Sequence, residues 1–477
     1  MALLGSPAPQ ATSKNIRWSA ENDSCYIINF EGKILNITEL VVEFSIYENL
    51  YSHYLTGSIV LFDSNGILEK LPMIGEEQIQ IKVQTVEQRN IDYFFSTYKI
   101  EKVQTISDNN RLDSMFTIQL VSPYLISSNQ TSINKAFIGK SCSEIIKNIH
   151  ESYFEKNKFT HTEKNLNYLV SSDIDVEETD GLISIVSCDR TPFDLIQYCV
   201  RNSRSLKYSD NDFVFYQDSD GFKLRSISNL MEKDSVEDYF VGSAEKSTSF
   251  KANEYEINDY QYVSSWERSL NYDIIKRQKQ GMYNNTVISI DPILKRYKEQ
   301  NLKYVDPEVR FKHNTDREIK FNTEKSVYKE GSPVHTRYMV SNISDKIYRD
   351  ESYLKDKIIV NNEIRDITIA YPSERYKMLN KRISKMSQLK TGLKLNISVP
   401  GNSELIVGQN INFHFPQTTE ASDRESNTQE NFLFGREKNA KFLIVALNHL
   451  FNVTSKQFYT NLTIVKNEFG SVIQNRS

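Results

Sequence analysis

Residues 40–49 read Leu40-Val41-Val42-Glu43-Phe44-Ser45-Ile46-Tyr47-Glu48-Asn49. Val42, Phe44 and Ile46 fall on one side of an extended chain, with Glu43 and Ser45 on the other, and that period of two belongs to a strand with one wet face. The alternation recurs outward from there, in Ile79, Ile81 and Val83 against Gln78, Gln80 and Lys82, and in Phe116, Ile118 and Leu120 against Thr117 and Gln119. Asp63-Ser64-Asn65-Gly66 and Ser107-Asp108-Asn109-Asn110 supply turn residues that tolerate positive φ. Five or six such strands between Tyr26 and Ser122 predict a compact antiparallel barrel or sandwich.

The pattern changes at Lys140. Ser141-x-x-Glu144 is a capping box, and Cys142, Ile145, Ile146, Ile149 and Tyr153 recur behind it at helical spacing, which predicts a helix of about 14 residues. A second helix opens at Thr191-Pro192, with Asp194 closing the cap and Leu195, Ile196, Cys199 and Val200 as its buried stripe. Phe213–Tyr216 and Phe222–Ile227 flank Asp218-Ser219-Asp220-Gly221, a hairpin signal. Residues 245–300 carry further strand-like runs, and 305–370 is polar, with long loops expected. A basic helix is predicted at Ser373–Leu389, where Met378, Leu379, Arg382, Ile383 and Met386 keep a 3.6 period. Leu393, Leu395, Ile397 and Val399, then Ile411, Phe413 and Phe415, then Phe442–Asn448 and Tyr459–Lys466 return to strands, with a polar loop expected at Gln417–Asn431. The order is β, α+β, β.

Composition narrows the function classes. A chain of 477 residues suggests about three domains. Its 58 Lys+Arg against 62 Asp+Glu give a net charge of −4, which disfavours a protein whose main work is gripping phosphate backbone. No apolar run reaches the ~18 residues of a spanning helix. Tyr (27) and Phe (25) outnumber Gly (16), a balance that favours strands, although an AT-rich genome produces the same bias. Charge is segregated, with 17 acids to 9 bases in residues 171–255 and 1 acid to 7 bases in 374–394. Such patches are either solvated faces or surfaces that register a partner.

Catalytic signals are thin. Cys25, Cys142, Cys188 and Cys199 form no C-x-x-C pair and read as reduced core thiols. The histidines His53, His150, His161, His313, His335, His414 and His449 lack metal-site spacing and read as surface or capping residues. Asp173-Ile174-Asp175-Val176-Glu177-Glu178 resembles half a calcium loop, but Glu178 stands where the loop needs Gly. No G-x-S-x-G, P-loop or G-x-G-x-x-G is present. Residues 1–15 read as a flexible arm with no secretory leader, on a protein folded in a reducing cytoplasm, so the N-x-[ST] triplets at Asn36, Asn342, Asn396, Asn452 and Asn461 carry no glycosylation meaning. No catalytic, cofactor-binding or metal residue is assigned. A structural or interaction protein is expected, with a glycoside-cleaving enzyme built on a carboxylate pair as the less favoured alternative.

Several segments, taken in order, resemble the baseplate central hub protein of contractile-tailed, T-even-like phages, whose fold is shared by the hub-like part of type VI secretion spike proteins. They are Leu40, Tyr47-Glu48-Asn49, Leu55-Thr56-Gly57-Ser58, Asp63-Ser64-Asn65, Leu71-Pro72-Met73-Ile74-Gly75-Glu76, Arg190-Thr191-Pro192-Phe193, Phe213-x-Phe215-Tyr216, Asp220-Gly221-Phe222, Gln280-Gly281-Met282-Tyr283 with Asp291-Pro292, Val399-Pro400-Gly401-Asn402, and Val407-Gly408. None is a catalytic motif.

The resemblance implies a mainly β chain with an α+β insertion, built as two tube-type antiparallel β-barrels plus smaller α/β domains. Residues 16–130 would form the first barrel, completed by part of 228–250, and 131–235 the α+β domain. Residues 245–304 with 390–470 would form the second barrel, and 305–389 an insertion carrying the basic helix. The implied function is that of a structural hub, a homotrimeric ring adapting a sixfold tail tube to a threefold cell-puncturing spike. The implied partners are a trimeric spike or tail lysozyme-like protein, a tail tube or tube-initiator protein, and baseplate wedge proteins. The implied location is the virion tail, assembled in the host cytoplasm. A hub of another contractile injection system, type VI-like, is the alternative, with a tail-associated cell-wall hydrolase the less favoured one. DNA would pass through the lumen without specific binding, so lumen residues should be neutral or acidic, and the basic 374–394 segment should lie on a partner face.

Overall fold

The computed structural model describes residues 16–17, 25–29, 32–63, 66, 75, 77–85, 91–108, 111–155, 173–208, 211–241, 261–270, 275, 279, 284–291, 295–303, 338–342, 355–360, 363–368, most of 381–390, 393–414, 439–455 and 457–466. The expected N-terminal arm, the Gln417–Asn431 loop, residues 373–380 of the basic helix, the segments Leu71–Ile74 and Gln280–Tyr283, and His161, His313 and His335 lie outside them.

The N-terminal group contains β1 (Ile16–Arg17), β2 (Cys25–Ile28), β3 (Ile34–Asn36), β4 (Val41–Asn49), β5 (Thr56–Asp63), β6 (Gln78–Thr85), β7 (Ile91–Asp108) and β8 (Arg111–Val121). They pair antiparallel in the order β4-β5-β8-β7-β6-β2-β3, with β1 on β6. Alternation explains the packing: in β5, Gly57, Ile59, Leu61 and Asp63 are buried and the residues between them are not. Phe44, Ile46, Ile59, Ile79, Ile81 and Ile118 form the core beneath. Val42 departs from the expected phase. A register shift between Val41 and Glu43 gives β4 a bulge, so Val41 takes the inward place instead.

The α+β unit follows, with helix Pro123–Asn129, β9 (Ile133–Ser141), helix Cys142–Ile149 with a π-helical turn His150–Glu155, β10 (Ile174–Val176), β11 (Leu182–Arg190), helix Pro192–Asn202, β12 (Phe213–Asp218), β13 (Gly221–Ser226) and helix Ile227–Glu232. Both predicted caps form. The Glu144 N–H donates to Ser141 Oγ (3.2 Å) while the Ser141 N–H donates to Glu144 Oε2 (3.0 Å), and the Asp194 N–H donates to Thr191 Oγ1 (3.2 Å). β12 and β13 make the predicted hairpin, closing Asp218 on Gly221. Gly221 is required there: its φ is +134°, and a Cβ would lie 2.3 Å from the Asp173 carbonyl oxygen.

The remaining strands are β14 (Ser235–Val241), β15 (Tyr262–Val263), β16 (Ser265–Leu270), β17 (Asn284–Asp291), β18 (Arg296–Lys303), β19 (Tyr338–Asn342), β20 (Lys355–Val360), β21 (Glu363–Thr368), β22 (Leu393–Pro400), β23 (Asn410–His414), β24 (Asn439–Asn452) and β25 (Gln457–Lys466). β15 and β16 flank Ser264, whose N–H and hydroxyl both donate to the Ser398 carbonyl (2.9 and 2.7 Å). The pairing path β15-β14-β23-β24-β25-β22-β16 therefore starts and ends on the one segment Tyr262–Leu270. Leu395, Ile397, Val399, Ile411, Phe413, Leu447, Leu462 and Ile464 fill its core.

Three expectations need correction. β14, from the stretch 228–250 assigned to complete the first group, pairs instead with β23 and β15, and Tyr239 enters the C-terminal core. β17 and β18, assigned with the C-terminal strands, stand apart, because β17 spends both its edges on β18 and β19. Residues 305–370, expected as long loops, contain the strands β19, β20 and β21. Among the described residues no helix is long and apolar enough to cross a membrane.

Candidate functional site

β24 joins the two strand groups. Along one edge its first part, Asn439–Leu443, pairs with β23 and its second part, Ala446–Asn452, with β4, while β25 runs along the other edge. One sheet therefore continues from β16 through β22, β25, β24, β4 and β5 to β8.

The side of that sheet facing away from the cores is a ladder of neutral polar side chains. Register places Ser265, Ser398, Asn461, Asn448, Tyr47 and Thr56 in one row across six strands. A neighbouring row holds Tyr459, Leu450, Ser45, Ser58 and Gln119. The rows flanking these add two acids, Glu267 opposite Asn396 and Glu43 opposite Asn452, and bases stand only at the margins of the face, Lys394 opposite Ser269 and Lys99 opposite Gln119. Thr463 Oγ1 donates to Asn396 Oδ1 (3.1 Å) along the ladder. An open groove of about 820 Å³ follows this face, lined by Tyr47, Asn448, Asn461, Thr463 and Asn396 among others. Among the described residues the buried Asn448 Oδ1 has no hydrogen-bond partner.

Behind the ladder lies a polar clamp. Glu48 continues the inward phase of Phe44 and Ile46, so its carboxylate enters the interior, where it is only 1% exposed. There the Ser219 N–H donates to Oε1 and the Val407 N–H to Oε2, both at 3.1 Å. One side chain of the N-terminal group thus ties down the β12–β13 turn and a loop of the C-terminal group. Burial first, and then the nearby Asp218, pushes the Glu48 carboxyl up to about 8. Burial also raises Asp218, whose carboxylate pairs with Lys223 Nζ at 2.6 Å; Asp220 approaches the same ammonium at 3.3 Å. Burial opposes the Lys223 charge, but Asp218 outweighs it and the net shift is upward. Gly408, at φ +87°, closes the loop, and a Cβ on it would lie 2.6 Å from the Tyr216 hydroxyl. Further ties are the Leu55 N–H to Gln217 Oε1 (3.2 Å) and His53 Nδ1 to the Phe215 carbonyl (2.9 Å).

The basic helix is tied inward as well. Arg382 Nη1 donates to the carbonyls of Asn211 (3.0 Å) and Phe213 (2.6 Å), and burial brings its guanidinium down to about 10. Lys385 is fully buried, with Nζ 3.9 Å from the equally buried Asp212 carboxylate. Two of the seven bases expected on a partner face are therefore engaged inside the chain.

Other sequence candidates resolve into structure. Asp173–Glu178 contains β10, and just after it Glu177 accepts from the Ser226 N–H (2.8 Å) and from the Ser205 hydroxyl (2.7 Å), which makes it an internal brace. Among the described residues no group of three or more His, Cys, Asp or Glu is placed to hold a metal. His150, His414 and His449 are buried rather than on the surface, and Cys188 is exposed rather than in a core. Tyr47-Glu48-Asn49, Phe215-Tyr216, Asp220-Gly221 and Val407-Gly408, distant in sequence, meet at the clamp. The clamp role of Glu48 was missed, though its phase in residues 44–48 carried the signal.

The architecture matches that of a known tail protein. A tail protein from Neisseria meningitidis MC58 superposes with a TM-score of 0.50 over 93% of this chain and 96% of its own, at 8% identity. The chain shares its fold with that tail protein. Weaker likenesses are to the 43 kDa tail protein of prophage MuSo2 from Shewanella oneidensis (TM-score 0.48, 9% identity, 93% of this chain and 98% of that one) and to an E. coli component of the type VI secretion system (0.39, 8%, 89% and 73%). No protein-family model matches the chain, and no curated protein does.

Proposed function

We propose that this chain is a structural subunit of a contractile tail, a hub whose three copies close a ring around the DNA channel. The observation that carries the reading is the largely neutral face that crosses both strand groups, one row running from β16 to β5 and its neighbour from β25 to β8. A wall of amides and hydroxyls wets the bore without offering the cations that would hold a polyphosphate in place. On this reading the path returning to Tyr262–Leu270 is one tube-type barrel, and β2–β8 wrapped on their core is the other. Three copies then present six barrels to a tail tube and three equivalent sites to a spike. Wedge proteins would meet the outer surface, and the role requires no catalytic group.

Light scattering on the purified chain tests the ring. A particle near three times 55.4 kDa is expected. A chain that stays monomeric at every concentration, and when mixed with its spike, refutes the hub reading.

A further inference from the structure

Cys142 and Cys199 lie on facing helices of the α+β unit, and their thiols hydrogen-bond each other. Cys142 is the first residue of helix Cys142–Ile149, locked in position by the Ser141–Glu144 capping box. Cys199 sits on the buried stripe of helix Pro192–Asn202, one turn before Ser203, whose hydroxyl donates to the Cys199 carbonyl (2.8 Å). Both side chains belong to the same apolar cluster. The other two cysteines stand in different settings: Cys25 is buried in the N-terminal core, and Cys188 is exposed on β11.

We propose that Cys142 and Cys199 are a redox pair whose oxidation to a disulfide locks these two helices together. The step is an exchange with a disulfide oxidant such as glutathione disulfide. One protein thiolate attacks a glutathione sulfur and releases one glutathione thiolate. The second protein thiolate then attacks the mixed disulfide, releases the second glutathione, and completes the Cys142–Cys199 bond. Two protein thiols lose two electrons and two protons, and one glutathione disulfide becomes two glutathione thiols.

Two buried cysteines on packed helices, sharing one apolar cluster, are placed to meet each other, which isolated cysteines are not. The hydrogen bond with Cys142 and burial hold the Cys199 thiol protonated, so oxidation waits on local opening of the unit and the closed bond is then shielded from reductant. The proposal stands independently of the hub reading. If the hub reading holds as well, a chain assembled in a reducing cytoplasm and released to oxidising surroundings would stiffen after release.

The test uses the full wild-type chain, freed of reductant and incubated with glutathione disulfide. Remaining thiols are alkylated in denaturant, and the protein is digested with trypsin. Peptide Ser141–Lys147 is expected linked to Thr191–Arg201, with a loss of 2 Da, two fewer alkylations, and a thiol-reversible rise in Tm on the order of 5 °C. Cys142→Ser should remove both the link and the rise. Recovery of both peptides unlinked while Cys188 becomes glutathionylated overturns the proposal, as does a link from either peptide to Cys25 or Cys188.

Discussion

Glu48→Gln should change how stability depends on pH. In the folded chain the Glu48 carboxyl sits at about 8, above its ordinary 4.5, because burial and Asp218 oppose its charge. The stability it contributes is complete below the unfolded value and is lost as pH rises through about 8. His449 acts oppositely. Burial lowers it from 6.5 to about 4, so its contribution is present above pH 6.5 and is lost as pH falls through 4. His53 is lowered for the same reason. The two effects offset one another between roughly pH 4.5 and 6.5, whereas from pH 6.5 to 8 Glu48 acts without that opposition. One proton of difference is worth ~1.4 kcal/mol per pH unit, so the wild type should lose about 2 kcal/mol across that interval. Glutamine cannot titrate. It also offers a single acceptor to the Ser219 and Val407 N–H groups and turns an NH₂ toward the other, a cost of about 1–3 kcal/mol at the acid end of the interval. Urea unfolding followed by far-UV circular dichroism between pH 6.5 and 8 should show a sloping midpoint for wild type and a flat, lower one for Glu48→Gln, the gap narrowing toward pH 8. A variant midpoint that falls as steeply as wild type's refutes the assignment of the slope to Glu48.

Gly221→Ala should cost about 2–3 kcal/mol, because φ +134° is strained for alanine and the new methyl pushes on the Asp173 carbonyl, which accepts from the Phe222 N–H at 2.8 Å. A Tm within a degree of wild type contradicts this. Arg382→Met should lose about 1–3 kcal/mol by stranding the Asn211 and Phe213 carbonyls, and limited proteolysis should then cut first around residues 381–390; unchanged digestion counts against the tie. Asn448→Lys should leave melting within about 1 kcal/mol of wild type yet give the assembled ring salt-sensitive retention of double-stranded DNA in a gel-shift assay. Equal mobility for both proteins argues against a channel role for the ladder.

Local order was legible from residue spacing; assembly was not. Ser141-x-x-Glu144 and Thr191-Pro192 announced their helices because caps act within four residues, and Asp218–Gly221 announced its turn for the same reason. Period-two alternation marked strands such as Val41–Asn49, Gln78–Thr85 and Leu393–Pro400 and their wet faces, except at Val42, where one bulged residue shifted the phase, but it left β19, β20 and β21 in a stretch read as loops. Which strands become neighbours depends on contacts hundreds of residues apart. Nothing local in Ser235–Val241 says that it pairs parallel with Asn410–His414, or that β17 closes a small sheet of its own. Glu48 was half legible: its phase put it inside, but its partners Ser219 and Val407 come from turns whose position only the fold sets. Arg382 and Lys385 looked like surface charge because Asp212 and the carbonyls they reach lie far upstream.

The β4–β24 seam also dictates an order of events during synthesis. β4 ends at Asn49 and β24 begins at Asn439, so the edge of β4 that β24 will cover emerges long before its partner exists. At about 5–20 residues per second the ribosome leaves that edge open for some tens of seconds. Phe44, which in the finished chain stacks on Phe451 at 4.5 Å, is without that partner for the same interval. An apolar strand with an open edge is a template for pairing with a neighbouring nascent chain. Chains that stall before residue 439 should therefore partition to chaperones or aggregates, while the last forty residues bring β24 and β25 to cover the edge.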